Sequence, residues 1–419
     1  MRKNKLCGIL NLTESRKATY PLTRVRPLAA LPFCCRYRMI DLPLTNMTTA
    51  GIDTIGIFCK GSLRSIYDHI HSGSEWGLDS VHGGLFFFSS GTEEPQPAHF
   101  FAEHDGDIYN YYQNLEFIEK SEAEYVVIMG TCTLCNVDIQ SILRSHIEQG
   151  AEMTVVYKSV DELTEDDQQM SCMTIDEDGI VRGLRSGITQ PQGEKSFINM
   201  EIYLIKSSLF TKLVRNVVAE NEHCNLNDVL HQAIVKLKTN GFEYTGYSKN
   251  INSIPAYYNA NMDMLQDANL TALLKGSQSI HTKVKNEVPT YYSRTSNVSD
   301  SLVANGCLLK GEIVHSIVFR NVTIEKNAII NSSVIMQGSY VGTGAELHYV
   351  ILDKQVRIEP NTKLIGTKEK PIVIEKNSVI SRIIEGNTIE RASSPDLPAP
   401  LKSGTSIYSD KRSADFSSK

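Results

Sequence analysis

The chain has 419 residues, 41% of them hydrophobic and 21% charged, with a formal net charge of -6 at pH 7. That length is too great for one ordinary hydrophobic core and suits two domains. The mild acidity gives no support to a nucleic-acid or membrane-surface partner. No apolar run approaches the ~20 residues needed to span a bilayer. The basic start Met1–Lys5 leads only into the short run Leu6 to Leu10, which reads as a first strand and not as a signal-peptide core. The expected compartment is therefore the cytoplasm. Nine cysteines occur, but the lone pair Cys132 and Cys135 has no second ligand pair at zinc-finger spacing, so no metal site is expected from them.

The first ~270 residues alternate strand and helix patterns, as a mostly parallel α/β sheet requires. Apolar runs at Cys7–Leu10, Thr54–Phe58, Tyr125–Met129 and Met153–Tyr157 predict strands. Helical spacing predicts helices over Tyr109–Ser121, Ile139–Gly150, Asp228–Leu237 and Ile254–Leu274. The domain reading is 1–275 for this unit, a linker over 276–300, a second domain over 301–391 and a disordered tail over 392–419. That tail holds eight serines and three prolines and little that could be buried.

Between Ile313 and Gly366 a six-residue beat replaces the helical period. Val322, Ala328, Val334 and Tyr340 are six apart, as are Ile324, Ile330, Met336 and Gly342. It resumes at Val350, Val356 and Thr362, beside Leu352, Ile358 and Leu364. Small or aliphatic residues at this period mark a parallel β-helix, one short strand per face with inward residues stacked in columns.

Several stretches carry a family resemblance. Tyr37-Arg38-Met39-Ile40-Asp41-Leu42-Pro43-Leu44-Thr45-Asn46, Ala50-Gly51-Ile52, His69-Ile70, Tyr125–Met129 and Ala260-Asn261-Met262-Asp263 lie in the order and spacing of bacterial glucose-1-phosphate adenylyltransferase. Asn305-Gly306-Cys307 resembles the start of that family's β-helix. The resemblance runs from about Leu6 to Gly366. It implies a Rossmann-like nucleotidyltransferase domain followed by a left-handed parallel β-helix of hexapeptide repeats. The family joins ATP and glucose 1-phosphate into ADP-glucose and pyrophosphate, a reaction run by positioning and by neutralising phosphate charge.

The residues that should do this are altered. The family's glycine-rich loop falls on Thr13, Glu14, Ser15, Arg16, Lys17, Ala18 and Thr19, without a glycine and with an acid where phosphates would sit. The metal-binding aspartates fall on Cys132 and Asn250, although Asp138 remains. Magnesium wants carboxylate oxygen, and a thiol and an amide are poor replacements. The sugar-phosphate motifs fall on Arg185-Ser186-Gly187 and Asn199–Tyr203, the motif near the base falls on Gly106-Asp107-Ile108, and a lysine position of the family holds Leu28. If each loss cost ~3 kcal/mol, the sum would exceed a million-fold in rate.

The resemblance is therefore to the non-catalytic, regulatory type of subunit, with no catalytic residue, no metal and no cofactor of its own. It implies a catalytic partner subunit in a heterotetramer, with magnesium and ATP held there. Arg26 and Arg38 match positions that contact anionic sugar-phosphate effectors, a task suited to guanidinium. Two other readings stay open: an active transferase with altered chemistry using Arg16, Lys17 and Asp138, and a scaffold that binds no ligand. A structural pairing of Arg38 with Asp41 or a neighbour also stays open.

Overall fold

The computed structural model describes residues 5–14, 17–81, 83–90, 106–164, 170–186, 195–220, 224–276, 278–381 and 384–385. The expected tail over 392–419 lies outside them. The first unit is built on a nine-stranded sheet. Its strands are β1 (Leu6–Leu12), β2 (Thr54–Lys60), β3 (Gly84–Ser90), β4 (Tyr125–Met129), β5 (Met153–Val160), β6 (Ser171–Ile175), β7 (Val181–Ser186), β8 (Ser196–Lys206) and β9 (Thr239–Glu243). The order is β7-β6-β8-β4-β1-β2-β3, with β5 paired to both β8 and β9. β1 pairs in parallel with β2 on one side and β4 on the other, and β8 joins antiparallel. Both faces of β1 and β4 are buried, which is why these strands read as unbroken apolar runs.

The chain runs outward from β1 to β2 and β3, then returns to β4 on the other flank of β1. This reversal leaves a crevice beyond the carboxyl ends of β1 and β4, where open α/β sheets bind ligands.

Two predicted helices are each split. The Tyr109–Ser121 pattern forms Ile108–Gln113 and Glu116–Ser121, because the Asn114 side chain donates to Asn110 O at 2.8 Å in place of a helical amide. The Ile254–Leu274 pattern divides into α1 (Ile254–Asp263) and α2 (Asp267–Leu274), with the Asn269 amide on Asp263 O closing the first. Side-chain competition for backbone groups is invisible to apolar periodicity.

From Tyr291 onward the chain forms three stacks of short parallel strands, the three faces of a left-handed β-helix. The inward column is Ile324, Ile330, Ile335, Val341, Leu347, Leu352, Ile358 and Leu364, all fully buried. Its steps are six, five, six, six, five, six and six, so a full turn takes 17 residues, as the pairing of Ile324 with Val341 shows. The strict six-beat therefore needs correction on the third face. Val334 and Met336 point outward there, and Ile335 fills the column. Ser316, Ser333 and Ser339 sit at corners, where their hydroxyls accept amide protons from the next turn.

That outward third face is what unites the two units. Ile317, Val334, Ile351 and Val373 stack along it and join one core with Leu22, Tyr257, Tyr258, Met264 and Leu273. Tyr258 on α1 donates to Ser332 O at 2.7 Å. Among the described residues no helix is long and apolar enough to cross a membrane. Ile351→Ala should cost about 2–4 kcal/mol through its lost contacts and residual cavity, whereas Ile329→Ala, at 36% exposure on another face, should cost under about 0.5 kcal/mol. Chemical denaturation of both variants checks this; equal costs would mean the third face is not the seam.

Candidate functional site

Two polar regions of opposite charge flank the seam. The first fills the crevice at the ends of β1 and β4. The hydroxyl of Thr13, one residue past β1, lies 2.5 Å from Asp107 Oδ2 and 2.7 Å from Asn11 Oδ1, with its one proton shared between these acceptors. Asp107 Oδ1 accepts the Leu226 amide at 2.6 Å. Glu14 reaches across to the exit of β4, where its Oε1 accepts from Thr131 N at 2.7 Å and Thr131 Oγ1 at 3.0 Å. A Cβ at Gly130 would lie 3.1 Å from that oxygen, so the glycine leaves room for it.

Glu201 completes the group. It sits where β8 changes register against β5, with φ +54°, and this bulge aims its carboxyl at the crevice. Its Oε2 accepts from Asn227 at 3.4 Å, and Asn227 accepts in turn from Asn11 at 3.2 Å. Among the described residues no ion pair reaches Glu14, Asp107 or Glu201.

Burial and then the facing Glu14 push the Glu201 carboxyl up to about 7. Burial also raises Glu14, opposed by its hydrogen bonds. The surroundings of both carboxyls thus disfavour their ionised forms.

The aligned metal positions are adjacent in space: Ile251 N donates to Cys132 O at 2.8 Å, and Asn250 Nδ2 to Thr133 Oγ1 at 3.3 Å. Neither supplies a carboxylate. Among the described residues no group of three His, Cys, Asp or Glu side chains is placed to hold a metal. Asp138 instead caps the helix Ile139–Glu148, accepting the Gln140 and Ser141 amides. Ser15, Arg16 and Gly187 lie outside the described residues.

The second region is a cleft between the domains. Arg36, Arg38, Lys285, Arg320 and Lys354 line it, with His69 and Gln337. It opens, past Cys35, Arg36, Lys285 and Arg320, into a cavity of about 400 Å³ walled by Leu270, Leu274, Val284, Leu302 and Val303. The Arg38 side chain donates to Ser65 O at 2.6 Å, while its backbone amide is the group that meets Asp41 Oδ2, at 2.9 Å. The guanidinium therefore makes no pair with Asp41 and keeps donors for a ligand. Asp41 Oδ1 instead meets His69 Nε2 at 2.5 Å, and burial lowers His69 all the same.

Arg26 is placed differently. It pairs with Asp353 of the β-helix at 2.7 Å, with side-chain exposures of 5% and 3%, and is not part of the cleft lining. Burial, then Arg38 and Arg26, depress Lys354 to about 7, and burial first also lowers Lys285, Arg320 and Arg38. Among the described residues none of these cations makes an ion pair, although Asp41, Glu287 and Asp353 act on them from nearby, and the cluster is a seat suited to an anion. Lys285, Arg320 and Lys354 escape sequence reasoning because the linker and solenoid bring them to Arg38 from about 250 to 320 residues away.

The family model "Nucleotidyl transferase" matches residues 17–267, and "GlmU-like, C-terminal hexapeptide" matches 286–389. The chain belongs to the nucleotidyl transferase family. Within it, the chain is 32% identical to "Glycogen biosynthesis protein GlgD" of Bacillus subtilis (strain 168) over 90% of its own length and 98% of that protein's. It is 32% identical to the GlgD of Geobacillus stearothermophilus over 91% and 99%. It is 28% identical to the "Glucose-1-phosphate adenylyltransferase" of Bacillus mycoides (strain KBAB4) over 86% and 95%. The chain is thus a GlgD-like member of the ADP-glucose pyrophosphorylase family.

Glu201 gives a pH test. A carboxyl raised from 4.5 to about 7 on folding binds its proton more tightly in the native state, so stability falls as pH rises through that window. Glu201→Gln should flatten this slope and leave the variant more stable than the parent at pH 8 by about 1–3 kcal/mol. Denaturant melts at pH 5 and pH 8 measure it, and parallel pH slopes in the two chains would refute the assignment.

Proposed function

We propose that this chain is a regulatory, catalytically degenerate subunit of a cytoplasmic glucose-1-phosphate adenylyltransferase that serves glycogen synthesis. Its partner in a heterotetramer is the catalytic subunit, which holds ATP and magnesium. The single observation that carries this reading is the Glu14–Glu201 pair in the crevice: two facing carboxyl groups, with no ion-pair partner among the described residues, stand where phosphate charge would have to be neutralised. The kinship with GlgD proteins and adenylyltransferases supports the reaction assigned to the complex.

The interdomain cleft is the proposed effector site, taking an anion of the sugar-phosphate class. Arg38 contacts the ligand, and Arg320, Lys285 and Lys354 share its charge. Arg26 acts from behind, holding the β-helix to the first domain through Asp353. An anion among these groups stabilises their charged forms, so binding tightens the contact between the domains. The altered-transferase reading loses support because Asp138 is occupied as a helix cap. The scaffold reading leaves the cation cluster without a role.

Co-expression with a catalytic homologue tests the function. The partner alone should be active, this chain alone inactive, and the complex more active or differently responsive to sugar phosphates. Turnover of ATP and glucose 1-phosphate by this chain alone at ordinary enzyme rates contradicts the reading. The cleft has its own test with sulfate, an anion that does not titrate near neutrality. Lys354 is charged below about 7, so calorimetric sulfate affinity should fall about ten-fold from pH 6.5 to 8.5. Lys354→Met should abolish most of this dependence, and Arg38→Ala should weaken binding at both pH values.

A further inference from the structure

We propose that Glu14 is the built-in ligand of the switch-point crevice: its carboxylate occupies the seat that the ends of β1 and β4 offer to an anionic group, and thereby holds the crevice closed. The geometry has the features of a ligand contact and not of a chance surface pair. One oxygen, Oε1, collects both the amide and the hydroxyl of Thr131, at 2.7 and 3.0 Å, and the Cys132 thiol adds a weaker donor to the carboxylate. Backbone amide and hydroxyl converging on an oxyanion make an arrangement that binds phosphates elsewhere.

The side chain is also aimed. Thr13 is pinned to Asp107 and Asn11, so the residue that follows must leave β1 toward β4. Gly130 has no side chain to block it. The Tyr111 hydroxyl, buried and without a hydrogen-bond partner, faces the same charges of Asp107 and Glu14.

This accounts for Cys132 as well. An aspartate there would set a third carboxylate against Glu14 and Glu201, whereas a thiol donates to Glu14. Glu14 and Cys132 are therefore matched, the negative charge having moved from one side of the crevice to the other. The crevice is locked in a filled arrangement that needs no ligand.

The proposal rests on the reading that the crevice performs no catalysis, but its test is separate from turnover. Inorganic pyrophosphate is titrated calorimetrically into the full chain and into Glu14→Ala and Glu14→Gln. The interdomain cleft is common to all three, so differences report the crevice. Glu14→Ala should bind pyrophosphate at least about tenfold more tightly than the parent, with a smaller gain for Glu14→Gln, which keeps the packing. Tryptic cleavage after Lys17 should accelerate several-fold in Glu14→Ala. Equal affinities in parent and variants, or cleavage rates that do not change, overturn the lock. If Glu14→Ala does not fold, the Glu14→Gln affinity decides. Activity of the parent chain alone would sink the regulatory reading instead.

Discussion

Everything distinctive here depends on one apolar contact, the third face of the β-helix against α1 and α2. A hexapeptide solenoid normally needs only its inward column to be apolar. Here Ile317, Val334, Ile351 and Val373 make an outward face apolar too, and burying it against Tyr257 and Tyr258 stabilises by the transfer of that surface from water. With two directions of hydrophobic stacking satisfied at once, the solenoid has a single docking orientation. The Arg26–Asp353 pair at the seam then specifies register more than it stabilises, since desolvating both charges offsets most of their attraction.

That orientation creates the cation cleft. Arg36 and Arg38 come from the first domain, Lys285 from the linker, and Arg320 and Lys354 from β-helix turns two apart, with Gln337 on the turn between them. Like charges this close destabilise the empty state, which is visible in Lys354 being depressed to about 7 by burial and by its neighbours. Proteins retain such arrangements where an incoming anion relieves them. Across the same first domain the crevice has the reverse character, with carboxylates that must share protons. The two regions thus carry opposite electrostatic character, basic at the seam and acidic in the crevice.

The fold was legible at the level of pattern. Unbroken apolar strands announced a sheet buried on both faces, and a recurring short period announced a solenoid. Legibility failed where side chains bond to the backbone, as Asn114 and Asn269 do in dividing helices. It failed again in the period of the solenoid, because a five-residue third face hides among six-residue ones unless one knows that Val334 looks outward. The loss of loop glycines and metal carboxylates was readable directly, since those changes are changes of residue type. That Glu14 would cross to Thr131, and that Asp138 would be a cap, was not readable, because both depend on which chain ends meet.

The sequence by itself therefore determined the two architectures and the altered residue types at the loop and metal positions, for both are written in local residue type and spacing. Only the tertiary structure decided which charges act together. It separated Arg38, which lines the cleft, from Arg26, which is spent on Asp353, and it gathered Lys285, Arg320 and Lys354 beside the first of them. The physical reason is that electrostatic sites are set by distance through space, and distance along the chain carries no record of it.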